Sequence, residues 1–292
     1  MQFDKTFISI RERSTLEIFD LSLHLVKRFG RNLIILMLIG SLPFIVIDLI
    51  LINWLATDFD MPHLFYWTMS MLVISQAQMG TVLISYYLGQ VMFRGHAGIW
   101  ETIKATLRSL VLLFWLHGCL RLVIPAALLC LMLDGLDQDQ TALATLVLIP
   151  GVVFIGTIVR MIRPFISEIM LLEKPPFWAK PKGQMTFSTR SESLHGANIS
   201  ILTRRFFSSA AVAVGMAFSL FSVFLIVDSV LNLRANTDIY VSHYYFTVSL
   251  WITANFIAVQ RFLSYIDVRI RQEGWAVELK MRAASRRMLG LE

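Results

Sequence analysis

At 292 residues, with 56% hydrophobic and only 16% charged side chains, the chain carries more apolar surface than a water-soluble domain of this length can hide. That composition excludes a disordered chain, and two cysteines exclude a disulfide-stapled scaffold. The net charge of +6 raises nucleic acid as a partner, but the basic residues border apolar runs instead of filling one compact domain. Contact with anionic lipid headgroups accounts for them, and no nucleic acid is expected.

The first thirteen residues hold charge but no apolar stretch ahead of a small-residue cleavage site, so no removable signal peptide is expected and the first apolar run doubles as the targeting signal. Ser14-Thr15-Leu16-Glu17 has the spacing of a capping box and opens an amphipathic stretch reaching Phe29. At 100° per residue Glu17, Asp20, His24, Lys27 and Arg28 share one face, with Leu16, Phe19, Leu23 and Val26 opposite. This reads as a helix lying in a membrane interface.

Six apolar runs follow, at about 33–55, 64–93, 109–133, 141–161, 206–231 and 244–262, each near the ~20 residues that cross a bilayer. Cys119 and Cys130 fall in the third, roughly 16 Å apart along a helix and too far to bond. Ahead of that run, Ile99, Trp100, Ile103 and Leu107 form an apolar face against Glu101, Lys104 and Arg108. A weaker version precedes the fifth run, where Ile199, Ile201, Leu202 and Phe206 oppose Arg204 and Arg205. The expectation is an all-α integral membrane protein of six transmembrane helices, arranged as three parallel repeats of interfacial helix plus transmembrane hairpin. The expected headgroup contacts are Lys27, Arg28, Arg31, Lys104, Arg108, Arg204 and Arg205.

Residues 1–32 then form a terminal segment, 33–263 the membrane domain, 162–205 a loop within it, and 264–292 a charged helix in water or headgroups. Pro175, Pro176, Pro181 and Gly183 interrupt the loop, which serves as a linker or as a docking site for a partner. The last segment has Asp267 with Arg271, Arg269 with Glu273 and Glu278 with Arg282 at i,i+4. Taking the connections alternately, 24 of the 26 Lys and Arg fall on the side of both termini. The positive-inside bias makes that side the cytoplasm and favours an even number of spans in a bacterial inner membrane.

Two stretches carry a resemblance. Arg13-Ser-Thr-Leu-Glu-Ile-Phe-Asp20 and Tyr265-Ile-Asp267-Val-Arg269-Ile-Arg271-Gln-Glu273-Gly274-Trp275, with Arg163-Pro-Phe-Ile-Ser-Glu168 and Leu171-Leu-Glu173 in mid-chain, resemble segments of bacterial multi-pass proteins related to the membrane domain of glycerophosphodiester phosphodiesterases. The resemblance implies the six-helix layout. It implies no phosphodiesterase activity, which belongs to a separate catalytic barrel absent from this sequence.

Ionisable groups inside a span are the best pointers to function, because burying them is costly. Arg121 falls near the middle of the third run with His117 four residues earlier, and Asp48, Gln78 and Asn255 fall at similar depth. These five form a candidate polar layer. In one reading Arg121 pairs with Asp48, or bonds to Gln78 and Asn255, and fixes which helices are neighbours. In the other the layer lines a route for an ion or polar solute. Pro43, Pro125 and Pro150 interrupt spans, and Ala211, Gly215 and Ser219 make a small-residue stripe suited to helix packing. No His-Glu-x-x-His, phosphate loop, Gly-x-Ser-x-Gly or metal-spaced cysteines occur, so neither an enzyme nor a cofactor is expected. The function this predicts is an accessory or scaffold subunit of a membrane complex, with a membrane-protein partner or a second copy of itself. The alternative is a small channel or transporter built on the layer around Arg121.

Overall fold

A computed structural model describes residues 13–56, 62–94, 97–120, 123–133, 147–177, 185–233 and 239–274, and every regular element among them is helical. In chain order these are α1 (Thr15–Ala56), α2 (Pro62–Gly80), α3 (Val82–Arg94), α4 (Ile99–Arg108), α5 (Leu110–Leu120), α6 (Val123–Leu133), α7 (Ile149–Ile162), α8 (Ile166–Glu173), α9 (Phe187–Gly196), α10 (Ile199–Asn232) and α11 (Ile239–Glu273). Four helical stretches are long and apolar enough to cross a membrane: Thr15–Leu51, Phe65–Phe93, Ile199–Asn232 and Val241–Gln272. Two bent pairs, α5 with α6 at 63° and α7 with α8 at 55°, raise the number to six if each is one span.

The capping box forms as its spacing predicts: the Ser14 amide donates to Glu17 Oε2 at 2.8 Å and the Glu17 amide to Ser14 Oγ at 3.3 Å. From there α1 runs 42 residues without a break, past Pro43. The segment expected as a separate interfacial helix is therefore collinear with the first span. Its buried stripe is Ile18, Ser22, Leu25, Leu33 and Leu36, while Leu16 and Leu23 of the expected apolar face are exposed. Hydrophobic periodicity locates a helix and a face, but a continuous helix and a bent one have the same periodicity.

Only the second repeat keeps a distinct short helix. α4 ends at Ser109, buries Thr102 and Thr106, and turns Trp100 and Leu107 outward. Before the fifth span the chain breaks instead at Ala197 and Asn198, and α10 then runs 34 residues from Ile199. Helices of 42 and 34 residues against a separate ten-residue one do not make three like repeats.

The expected loop 162–205 is largely ordered helix. Pro164 cannot donate to a continuing α7, so the chain turns there into α8, whose last five residues are π-helical and which ends at Lys174 in the left-handed region (φ 50°). Thr186 caps α9 by exchanging bonds with Thr189. The Pro181 and Gly183 part of this segment lies outside the described residues.

At the centre stands α11, which packs on α1, α2, α3 and α10 and buries Trp251, Phe262, Tyr265 and Val268. The expected charged helix in water is, up to Ile270, part of the core; residues 275–292 lie outside the described residues. Where α1 crosses α2 the backbones touch. A Cβ on Gly40 would collide with the Gly80 carbonyl oxygen, and one on Gly80 would sit 2.6 Å from the Trp251 ring. Peripheral α10 buries only Leu202 and Arg205 and leaves Val214 at 71% and Phe218 at 70% exposed, an apolar face of the kind that marks a membrane or protein contact.

Candidate functional site

The charged residues gather where the two described chain ends meet. Asp267, fully buried on α11, accepts the Arg13 amide N–H at 2.7 Å on Oδ1, with Arg271 Nε at 2.8 Å and Arg205 Nη2 on Oδ2. Both guanidiniums also donate to the Arg13 carbonyl oxygen, at 3.1 and 3.0 Å. One carboxylate thus ties together the entry to α1, the start of α10 and the end of α11.

Two further carboxylates stand on α8. Glu168, also fully buried, accepts Ser85 of α3 at 2.9 Å and Arg261 Nε of α11 at 2.8 Å on the same oxygen. Glu173 is bound through Arg190 of α9, through the Tyr265 hydroxyl, and by Arg269 at 3.7 Å. The positions on α11 are Arg261, Tyr265 and Arg269, at i, i+4 and i+8, so one stripe of that helix faces α8. Aromatic packing backs it, with Phe165 edge-on to Tyr265 at 5.7 Å and stacked on His195 at 5.5 Å. Desolvation offsets much of the attraction in such pairs, whereas losing one partner strands a buried charge. The lattice therefore fixes which segments meet and punishes separation, more than it adds net stability.

The four described members of the expected midplane layer each bond a different partner. Asp48 accepts Gln76 Nε2 at 2.7 Å. Gln78, two residues on and pointing elsewhere, donates to the Pro164 carbonyl at 3.4 Å. His117 Nε2 pairs with Ser167 Oγ at 3.0 Å, and Asn255 donates to Ser41 Oγ at 2.9 Å and to the Trp251 carbonyl at 2.7 Å. Arg121 lies outside the described residues. Each of the four described members sews one pair of elements together. Of the expected headgroup contacts, Lys27, Arg28, Arg31, Lys104, Arg108 and Arg204 are exposed. Arg205 is a correction: it is 4% exposed and turned inward, because Asp267 offers the charge partner that solvent would otherwise replace.

Beside the lattice, a cleft of about 580 Å³ runs between α2, α7, α10 and α11. Its walls are apolar, with Val73, Ile74, Ala213, Ala217, Phe218 and Leu250 among them. Its polar groups concentrate near one end, at Gln78, Arg160, Arg205, Gln260, Arg261 and Ser264. Along α10 it extends from Leu202 to Phe221, about 28 Å at 1.5 Å per residue. Among the described residues Arg160 makes no hydrogen bond or ion pair, its Nη2 is buried without a partner, and Arg261 is near enough to act on it as a like charge. Arg205 Nε and Nη1 and the side-chain oxygens of Gln78 and Gln260 are likewise buried and unsatisfied. An elongated apolar trough with spare cationic donors at one end can hold an amphiphile with an anionic head.

Sequence reasoning missed Glu168, Glu173, Asp267 and Arg160 as interior groups. A signal was available for Glu168: it interrupts Phe165-Ile-Ser-Glu-Ile-Met-Leu-Leu172, a run too apolar for an exposed loop. Asp267 had none, since its i,i+4 partner Arg271 reads equally well as a solvated pair. Compared with protein-family models, with curated proteins and with solved structures, the chain finds no match in any of the three.

Proposed function

We propose that the chain is a non-enzymatic, six-pass protein of a bacterial cytoplasmic membrane, with both termini in the cytoplasm, serving as an accessory or scaffold subunit of a membrane complex. The observation that carries this reading is the charge lattice. Its carboxylates are bonded to arginines of other segments and so hold α1, α8, α9, α10 and α11 in one platform. A midplane route for an ion has no comparable support, because the described polar residues at that depth are dispersed into separate pairs. The excess of Lys and Arg on the side of both termini supports the cytoplasmic placement. The resemblance of the chain ends to proteins related to the phosphodiesterase membrane domain agrees with a role that needs no catalytic barrel.

Exposed Trp100 and Leu107 on α4, next to Lys104 and Arg108, suit a helix seated among anionic headgroups beside that platform. The test is purification from native membranes in a mild detergent, with mass spectrometry of bound proteins and light scattering of the particle. A stoichiometric protein partner is expected. A partner-free particle that conducts a solute in liposomes would overturn the scaffold reading.

A further inference from the structure

We propose that the cleft between α2, α7, α10 and α11 is a binding site for an anionic phospholipid. The phosphate would lie against Arg160 and Arg205, and an acyl chain along the trough between α10 and α11. The proposal rests on the membrane placement above and not on the scaffold role.

Charge complementarity selects the head. Arg160 has its whole guanidinium fork uncommitted, and Arg205 has two nitrogens left after its bond to Asp267. The carboxylates of the lattice already have cationic partners, Glu168 through Oε1 to Arg261 and Ser85, its Oε2 buried without one, and Asp267 to Arg205, Arg271 and the Arg13 amide. The end of the cleft therefore holds more positive than negative charge, with two arginines, Arg160 and Arg261, close together. A phosphodiester presents two anionic oxygens that match a guanidinium fork, which a zwitterionic headgroup offers only against the repulsion of its own cation. The unsatisfied oxygens of Gln78 and Gln260 at the same end would accept from headgroup hydroxyls, which points to a hydroxylated headgroup such as glycerol.

Shape selects the tail. A small anion would need only the arginine end, yet the cavity continues about 28 Å along α10, close to the ~30 Å of a bilayer's hydrocarbon core. Small side chains, Ala210, Ala213 and Ala217 on α10 and Ala254 on α11, keep it open. The outer face of α10 is exposed apolar surface, so the trough adjoins lipid and a bilayer phospholipid reaches it sideways.

The experiment uses the full chain, extracted with detergent and delipidated, with binding read by native mass spectrometry. The probes are dioleoyl phosphatidylglycerol, dioleoyl phosphatidylcholine and glycerol 3-phosphate. Wild type should prefer phosphatidylglycerol by at least about tenfold, the size of one charge-assisted hydrogen bond. Arg160→Gln should erase that preference by weakening phosphatidylglycerol more than phosphatidylcholine. Ala217→Trp, which fills the trough, should weaken both lipids, and glycerol 3-phosphate should displace neither. Equal preference in wild type and Arg160→Gln, or displacement by glycerol 3-phosphate, would overturn the proposal, the latter by making this a site for a soluble anion. If Arg160→Gln does not fold, undiminished phosphatidylglycerol binding by Ala217→Trp overturns it independently. Recovery of the chain from the aqueous instead of the membrane fraction would overturn the membrane placement and this site together. Loss of lipid preference in membrane-extracted protein overturns the site alone.

Discussion

The backbone N–H of Arg13 donates to Oδ1 of Asp267 at 2.7 Å, a bond between residues 254 apart in sequence. It joins the entry to the first helix to the end of the last, and the Arg205 and Arg271 guanidiniums close the same knot by bonding the Arg13 carbonyl as well as the carboxylate. Both described chain ends therefore lie at one end of the bundle.

The Gly40–Gly80 contact sets the distance between α1 and α2. Gly40→Leu should destabilise the protein by about 3 kcal/mol, at the upper end for overpacked interiors, because the atom it meets is backbone and cannot rotate away. Gly215→Leu, with nothing within 4 Å of its added Cβ, should change stability by less than about 0.5 kcal/mol. Thermal unfolding in detergent measures both, and equal losses would contradict the close crossing.

Asp48 is buried with one hydrogen bond, from Gln76, and its second oxygen has no partner. Asp48→Asn keeps an acceptor for Gln76 and removes a poorly compensated charge, so stability should hold or rise by about 1 kcal/mol. A loss of that size would mean the carboxylate has a charged partner, Arg121 being the obvious one.

Glu168→Gln retains an acceptor for Ser85 but leaves Arg261 without its counter-charge, beside Arg160. The expected cost is about 3 kcal/mol. Adding Arg160→Leu should recover part of it by removing the like charge, and the recovery is read as non-additivity of melting midpoints. Strict additivity would show that the two arginines do not feel each other.

Some of this was legible in the residues. Ser14 and Glu17 announce a cap because the capping box is local, and four of the six apolar runs announce long helices because an apolar run of spanning length is also local, whereas the third is bent between α5 and α6. The lattice was not legible, since Arg205 next to Arg204 on an amphipathic segment looks solvated until Asp267, 62 residues away, is brought beside it. Depth counted along each run places Asp48, Gln78, His117 and Asn255 near one level, but Asn255 bonds Ser41, seven residues and about 10 Å along α1 from Asp48, so the register and azimuth between helices, which no single run encodes, disperse them. The turn at Pro164 was marked by proline, yet only packing against α3 and α11 makes the following Glu168 an interior residue.

The most direct test of the account is a double-mutant cycle on Arg205→Leu and Asp267→Asn, followed by unfolding in detergent. Asp267 is fully buried and Arg205 nearly so, and each single change strands a charge or its donors, so each should cost about 3 kcal/mol or more. The pair should cost clearly less than their sum, with a coupling of at least about 1 kcal/mol. Additive losses would contradict the claim that this carboxylate and this guanidinium hold the two ends of the chain together.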